Sequence, residues 1–156
     1  VNTMSVEHDS TDIPETPLWL ANFLQVYQNL SKHNLDMLAQ AYHPNISFTD
    51  PIHKIHGLTN LQQYFHGMYE NLSSCEFVIE QVITQDNQAA VYWLMSYQHP
   101  KLSHGKIVTV TGHSHLKAQD GKVIYHRDYL DLGEMLYEQL PILGKLIRWL
   151  KSRAAK

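Results

Sequence analysis

Asp120-Gly121 stands between two long runs of alternating residues, KIVTVTGHSHLKAQ before it and KVIYHRDYLDL after it. An Asp-Gly pair supplies the left-handed backbone that a two-residue hairpin turn demands, so these runs pair as antiparallel strands. Two further runs precede them, CEFVIEQVITQ and AAVYWLMSYQH, joined at Asp86-Asn87 by a second tight turn. Four consecutive strands with short links form a meander, which excludes a doubly wound parallel sheet.

Helical spacing lies upstream of the meander. Leu20, Phe23, Leu24, Tyr27 and Leu30 share one stripe behind Pro17, a residue suited to open a helix. A short second helix is predicted with Asn34 as its cap and Leu35, Leu38, Ala41 and Tyr42 inward, ended at His43-Pro44. ISFTDP reads as a short strand closed by Pro51, and a third helix after Gly57 carries Leu58, Leu61, Tyr64, Phe65, Met68 and Tyr69. A final helix is predicted from about Glu134 to Ser152. Helices followed by a strand meander define an α+β domain. Three parts result: a polar arm over residues 1–16, the α+β domain over 17–132, and a C-terminal helix over 133–156.

With 156 residues, 44% hydrophobic and 17% charged, the chain holds one domain with a real core and is no disordered or fibrous sequence. A formal charge of -3 carries no general nucleic-acid footprint, so no nucleic acid is expected as a partner. The single cysteine, Cys75, forms no internal disulfide, and VNTMSVEHDS lacks a basic-then-apolar signal pattern, so a cytoplasmic location is expected.

The hairpin also gathers chemistry. A regular two-residue turn pairs Gln119 with Lys122, which sets His113 across from Asp128 and His115 across from His126. These pairs, with Thr111 opposite Leu130, share one face. Opposed Cβ atoms lie about 5 Å apart, within reach of an imidazole–carboxylate hydrogen bond. A carboxylate so placed fixes the histidine tautomer, as an acid–base residue needs. Three readings of this face stay open: a pocket lining, a satisfied structural pair, or a solvated surface. Of the 11 histidines only His113, His115 and His126 converge. With Asp128 they form a candidate Zn or Fe ligand set, although no spacing matches a strong metal signature. Trp93 shares strand parity with Met95 and Tyr97, and with Tyr64 from the third helix these side chains suit a pocket for a flat apolar ligand.

Two helices, the FTDPIHKIHG segment, a glycine opening a third helix and four long strands resemble the nuclear transport factor 2-like superfamily, and within it the SnoaL-like domains. The resemblance covers about Leu18 to Leu132. It implies a cone-shaped, curved antiparallel sheet wrapped around the N-terminal helices, with an extra C-terminal helix, a pocket open at one end, and a homodimer formed through the sheet face. It further implies a small apolar or cyclic molecule as ligand and no metal or other cofactor. Asp50, before a proline, resembles the general base of ketosteroid isomerases, and Tyr27 stands near their oxyanion tyrosine. His113 and Asp128 resemble the proton-handling pair of SnoaL-like cyclases. The expected catalytic set is thus Asp50, His113, Asp128 and Tyr27, with His126, His115, Trp93, Tyr97, Tyr64 and Leu130 around the ligand. The implied activity is cofactor-independent isomerisation, cyclisation or dehydration by proton transfer. A non-catalytic ligand-binding or protein-interaction module on the same fold is the alternative, and a metal-binding protein using His113, His115, His126 and Asp128 is the third.

Five of the 12 basic residues follow Glu138 and no acid does, so the tail carries +5 and the remainder -8. Leu136, Leu140, Leu143, Ile147 and Leu150 fall on one stripe. The helix is read as packed on the domain or on a partner subunit, with contact to anionic lipid through Trp149 and the cations as the less favoured alternative.

Overall fold

A computed structural model describes residues 15–154, so the arm predicted over residues 1–16 falls almost wholly outside the described residues. Helix α1 (Leu18–Asn29) starts after Pro17 and buries Trp19, Leu20, Phe23, Val26 and Tyr27, the stripe that its spacing dictates. A 3-10 turn over Leu35–Met37 runs into the one-turn helix α2 (Leu38–Ala41). Then follow strand β1 (Tyr42–Thr49), strand β2 (Lys54–His56) and helix α3 (Leu58–Glu70). Helix α3 starts behind Gly57, whose φ of 83° is a left-handed position that favours glycine. The meander comprises β3 (Ser74–Gln85), β4 (Gln88–Gln98), β5 (Ile107–Gln119) and β6 (Lys122–Leu130).

The six strands form one curved open sheet in the order β2-β1-β6-β5-β4-β3, with β1 parallel to β6 and every other neighbour antiparallel. The architecture is α+β, as the sequence predicts. Helices α1, α2 and α3 close its inner face around a core of Leu20, Phe23, Leu38, Ile46, Leu61, Val91, Leu116 and Val123. Strand β1 begins at Tyr42, two residues before Pro44. Its pairing with β6 is interrupted between Tyr42 and Ser47, so the proline leaves no ladder bond unmade there.

At the β5–β6 hairpin the turn is as predicted, with Asp120 at φ 52° and Gly121 at φ 74°. Gln119 pairs with Lys122 and Ala118 with Val123, but Lys117 pairs with Tyr125, leaving Ile124 as an extra residue. This β-bulge moves every later pair by one. His113 therefore faces Tyr129, Ser114 faces Asp128 and Leu116 faces His126. The predicted pairs His113–Asp128 and His115–His126 do not form.

The predicted final helix is divided. Asp131 caps α4 (Leu132–Met135) by accepting from the Glu134 amide, 3.1 Å away. Leu136 leaves the helical region, a 3-10 turn spans Tyr137–Gln139, and Pro141 opens α5 (Pro141–Ala154). Gly144 is the buried residue of α5. No helix among the described residues is long and apolar enough to cross a membrane.

Candidate functional site

A cavity of about 100 Å³ lies between the inner face of the sheet and helices α1 and α3. Its wall is mostly aromatic and thioether: Phe48, Phe65, Phe77 and Trp93, with Met68, Met95 and Met135. Into this apolar wall are set two carboxylates, Asp50 and Asp128, and two phenols, Tyr27 and Tyr64. A wider groove of about 570 Å³ between the Leu35–Met37 turn and α3 lies open on the surface, and its one linked acid–base pair among the described residues, His66 and Glu70 at 3.3 Å, is exposed to solvent.

Asp128 reaches the cavity because the bulge returns even-numbered residues of β6 to the inner face. Its Oδ1 accepts from the Ser114 hydroxyl at 2.5 Å, and that hydroxyl accepts from the Trp93 indole N–H at 2.9 Å. The same Oδ1 lies 2.6 Å from His126 Nε2. Both contacts fall on Oδ1, so Oδ2 is left for a ligand. His126 is fully buried, caged by the rings of Phe23, Tyr27, Tyr42 and Phe48, with centroids between 4.8 and 5.9 Å away.

The network continues beyond the imidazole. Tyr42 donates its hydroxyl proton to Tyr27 Oη at 3.0 Å. Tyr42 Oη also lies within hydrogen-bond distance of His126 Nδ1, at 2.6 Å. His126 Nε2 in turn contacts Asp128 Oδ1, so the imidazole bridges Tyr42 and Asp128. Tyr27 Oη receives its bond from Tyr42 and keeps its own proton for the cavity it lines. Burial, then the neighbouring Tyr42 and Asp128 charges, holds the Tyr27 phenol well above the usual tyrosine range. Burial does the same for Tyr42. Both therefore stay protonated donors near neutral pH, and one hydrogen-bonded chain joins a carboxylate at one point of the cavity to a phenol at another.

Asp50 occupies the loop after β1. Its Oδ1 accepts from the amides of Ile52 at 2.7 Å and His53 at 2.6 Å, an Asx turn that anticipates Pro51. Its Oδ2 accepts from Tyr64 at 2.5 Å, and His53 Nδ1 stands 3.3 Å away. Burial, then this bond, raises the Tyr64 phenol above its ordinary range. Asp50 is both a turn former and a wall of the cavity, with both oxygens engaged.

The family model for the SnoaL-like domain matches residues 23–126, two thirds of the chain. The chain belongs to the SnoaL-like domain family. Among solved structures it is similar to a candidate SnoaL-like polyketide cyclase from Jannaschia sp. CCS1, at 16% identity over 78% of this chain and 92% of that one, with a TM-score of 0.67. It is similar, too, to a ketosteroid isomerase-like protein from Catenulispora acidiphila in complex with trimethylamine, at 12% identity over 81% and 95% of the chains, TM-score 0.68. A third is an epoxide hydrolase of M. tuberculosis, at 17% identity over 75% and 79%, TM-score 0.61. At such identities the likeness is one of fold. A search of the curated proteins finds no significant match.

Of the residues expected around the site of this SnoaL-like domain, Tyr27, Asp50, Tyr64, Trp93, Asp128 and Leu130 line the cavity, and His126 stands directly behind Asp128. Others do not. His113 lies on the outer face, stacked between Tyr92 and Tyr129 with centroids 5.1 and 4.9 Å away, because the bulge reverses its parity against Asp128. His115 is likewise outside, 3.0 Å from Gln88, and its imidazole is lowered by partial burial and then by Lys117 and His113. Tyr97 shares the inner face but sits farther along β4, in a second cluster with Val108 and Val110, donating to the Met135 carbonyl. The four proposed metal ligands are split between the two faces, and no group of three ligand-type side chains converges among the described residues. Sequence reasoning missed Tyr42 and Ser114. Tyr42 was legible only as an inward position of the second helix and Ser114 not at all, since nothing in their spacing marks them as links to Asp128.

Proposed function

We propose that this SnoaL-like domain catalyses cofactor-independent proton transfer on a small apolar cyclic or carbonyl compound. The observation that carries the reading is the continuous chain Asp128–His126–Tyr42–Tyr27, which begins and ends in one cavity. Asp128 serves as the carboxylate base, held through Oδ1 by His126 Nε2 and the Ser114 hydroxyl. Asp128 Oδ2 takes a proton from carbon beside the substrate carbonyl: a C–H bond breaks, an O–H bond forms, and the electron pair moves onto the carbonyl oxygen. Tyr27 donates a hydrogen bond to that developing oxyanion. Return of the proton to a second carbon completes an isomerisation; its delivery to a hydroxide that departs from the β-carbon, as water, completes a dehydration; attack of the enolate carbon on a second carbonyl of the same molecule, whose oxygen takes the proton, completes a cyclisation. His126 and Ser114 position Asp128 through its Oδ1.

Asp50 and Tyr64 form the opposite wall, where they orient the substrate's polar handle. The cavity is smaller than the several hundred Å³ usual for drug-sized ligands. Met68, Met95 and Met135 are the side chains that adapt it, being flexible and polarisable. Homodimerisation belongs to the outer sheet face, where Tyr92 and Tyr129 are exposed on either side of His113 and Arg127 stacks on Tyr129 at 5.0 Å.

The test needs no prior substrate. A panel of small cyclic ketones is incubated with the protein in D2O and deuterium incorporation is followed by mass spectrometry. At least one member should exchange well above the buffer rate, and exchange of none above it defeats the proposal.

A further inference from the structure

Helix α5 is amphipathic, and it is docked the wrong way round for a soluble helix. The side bearing Gly144, Arg148 and Lys151, with the half-buried Ile147 among them, faces the Asp131–Gln139 segment. Gly144 is buried there, so close to Glu138 that an added Cβ would collide with that residue's carbonyl oxygen. From the same side Arg148 donates to the Glu138 carbonyl at 2.9 Å. Lys151 pairs with Asp131 at 3.0 Å and with Glu138. The apolar side is consequently turned outward: Ile142 is 87% exposed, and Leu146, Trp149 and Leu150 are each about half exposed. At positions i, i+4, i+7 and i+8 these four form one continuous stripe. Burial of such a stripe is what ordinarily stabilises a helix, and here three cation contacts hold it away from the core.

We infer that α5 is an interfacial helix that seats this stripe in an anionic lipid bilayer surface. Charge complementarity selects the occupant. Lys145 and Arg153 border the stripe, Arg153 lying over the Trp149 ring at 5.0 Å, and α5 contains no acid. A second copy of α5 would set like charges against these cations, whereas anionic headgroups neutralise them while the acyl boundary receives the apolar side chains. Trp149 is the aromatic type that favours this depth. The remainder of the chain is acidic, so it is repelled from the same surface and the contact is confined to the helix. This inference stands apart from the cavity and does not depend on its chemistry.

Trp149 also supplies the readout, because Trp19 and Trp93 are buried. The purified full chain is titrated with vesicles of phosphatidylcholine mixed equally with phosphatidylglycerol, and with vesicles of phosphatidylcholine alone. Tryptophan emission should shift to the blue and the protein should co-sediment with the mixed vesicles, with at least ~10-fold weaker partition into the neutral ones. The Ile142→Ser/Leu146→Ser variant should lose the partition by ~10-fold or more at unchanged melting temperature. Lys145→Gln/Arg153→Gln should weaken it and flatten its salt dependence. Absence of binding to the mixed vesicles overturns the inference. So does wild-type binding by the serine variant, or a concentration-dependent dimer that the serine variant abolishes while vesicles bind neither protein.

Discussion

At the scale of single residues, the arrangement turns on a histidine with no access to solvent. His126 is fully buried and contacts a carboxylate on one nitrogen and a phenol on the other. Deleting one member of a buried, hydrogen-bonded pair leaves the other without its partner, which costs about 3–5 kcal/mol. His126→Ala should therefore lower the melting temperature by roughly 6–20 °C for a chain of this size, measured by calorimetry. Tyr27 is different, since its own proton is directed to the cavity and not to a protein acceptor. Tyr27→Phe leaves the buried Tyr42 hydroxyl without its acceptor, at a cost of about 1–3 kcal/mol, and should slow ketone exchange about 10- to 100-fold. A large loss of stability with unchanged exchange would assign Tyr27 to the core alone.

Among the elements, β4 and β5 pair Trp93 with Gly112, which lies under the indole ring. A Cβ at Gly112 would collide with the indole, two of whose carbons would be 2.8 Å away, and Trp93 is buried and unable to yield. Gly112→Ala should cost about 1–3 kcal/mol and pull the indole N–H away from Ser114. Denaturant unfolding measures the cost, and a loss of near-ultraviolet dichroism reports the indole. The same hairpin shows what a sequence conveys and what it withholds. Alternation and Asp120-Gly121 identify the strands and their turn, because turn backbone and side-chain period are local properties. The extra residue at Ile124 is not local: it answers to the curvature of the whole sheet and to the parallel pairing of β6 with β1. From it follow the exchange of His113 for Ser114 opposite Asp128 and the outward position of His115. Trp93 and Tyr64 were expected at a pocket from periodicity, whereas Leu130 was expected from a hairpin register that set it opposite Thr111, and the bulge sets it opposite Gly112. Tyr42 was legible as buried, but its bond to His126 joins positions 84 residues apart, a relation that no spacing encodes.

For the whole molecule, burial of weak acids sets the alkaline limit. Burial raises the Cys75 thiol from 9.0 to about 11, against a partly opposing bond from Tyr69. Tyr27, Tyr42, Tyr64 and Tyr69 are shifted upward too, chiefly by burial. Above pH 9 the unfolded chain releases these protons while the folded chain retains them, so the stability present below pH 9 is lost as pH rises toward 11. The urea midpoint should fall across that window, and a flat or rising midpoint would contradict the burial described. The outer sheet face offers a second molecular prediction: Tyr129→Glu should convert a dimer to a monomer in sedimentation analysis with little change in melting temperature.

The most direct test of the central claim compares two variants in the D2O exchange assay, Asp128→Asn and His113→Ala. Proton transfer from the inner-face chain predicts at least ~100-fold slower exchange in Asp128→Asn and a wild-type rate in His113→Ala. Wild-type exchange in Asp128→Asn, with the loss found in His113→Ala, would contradict it.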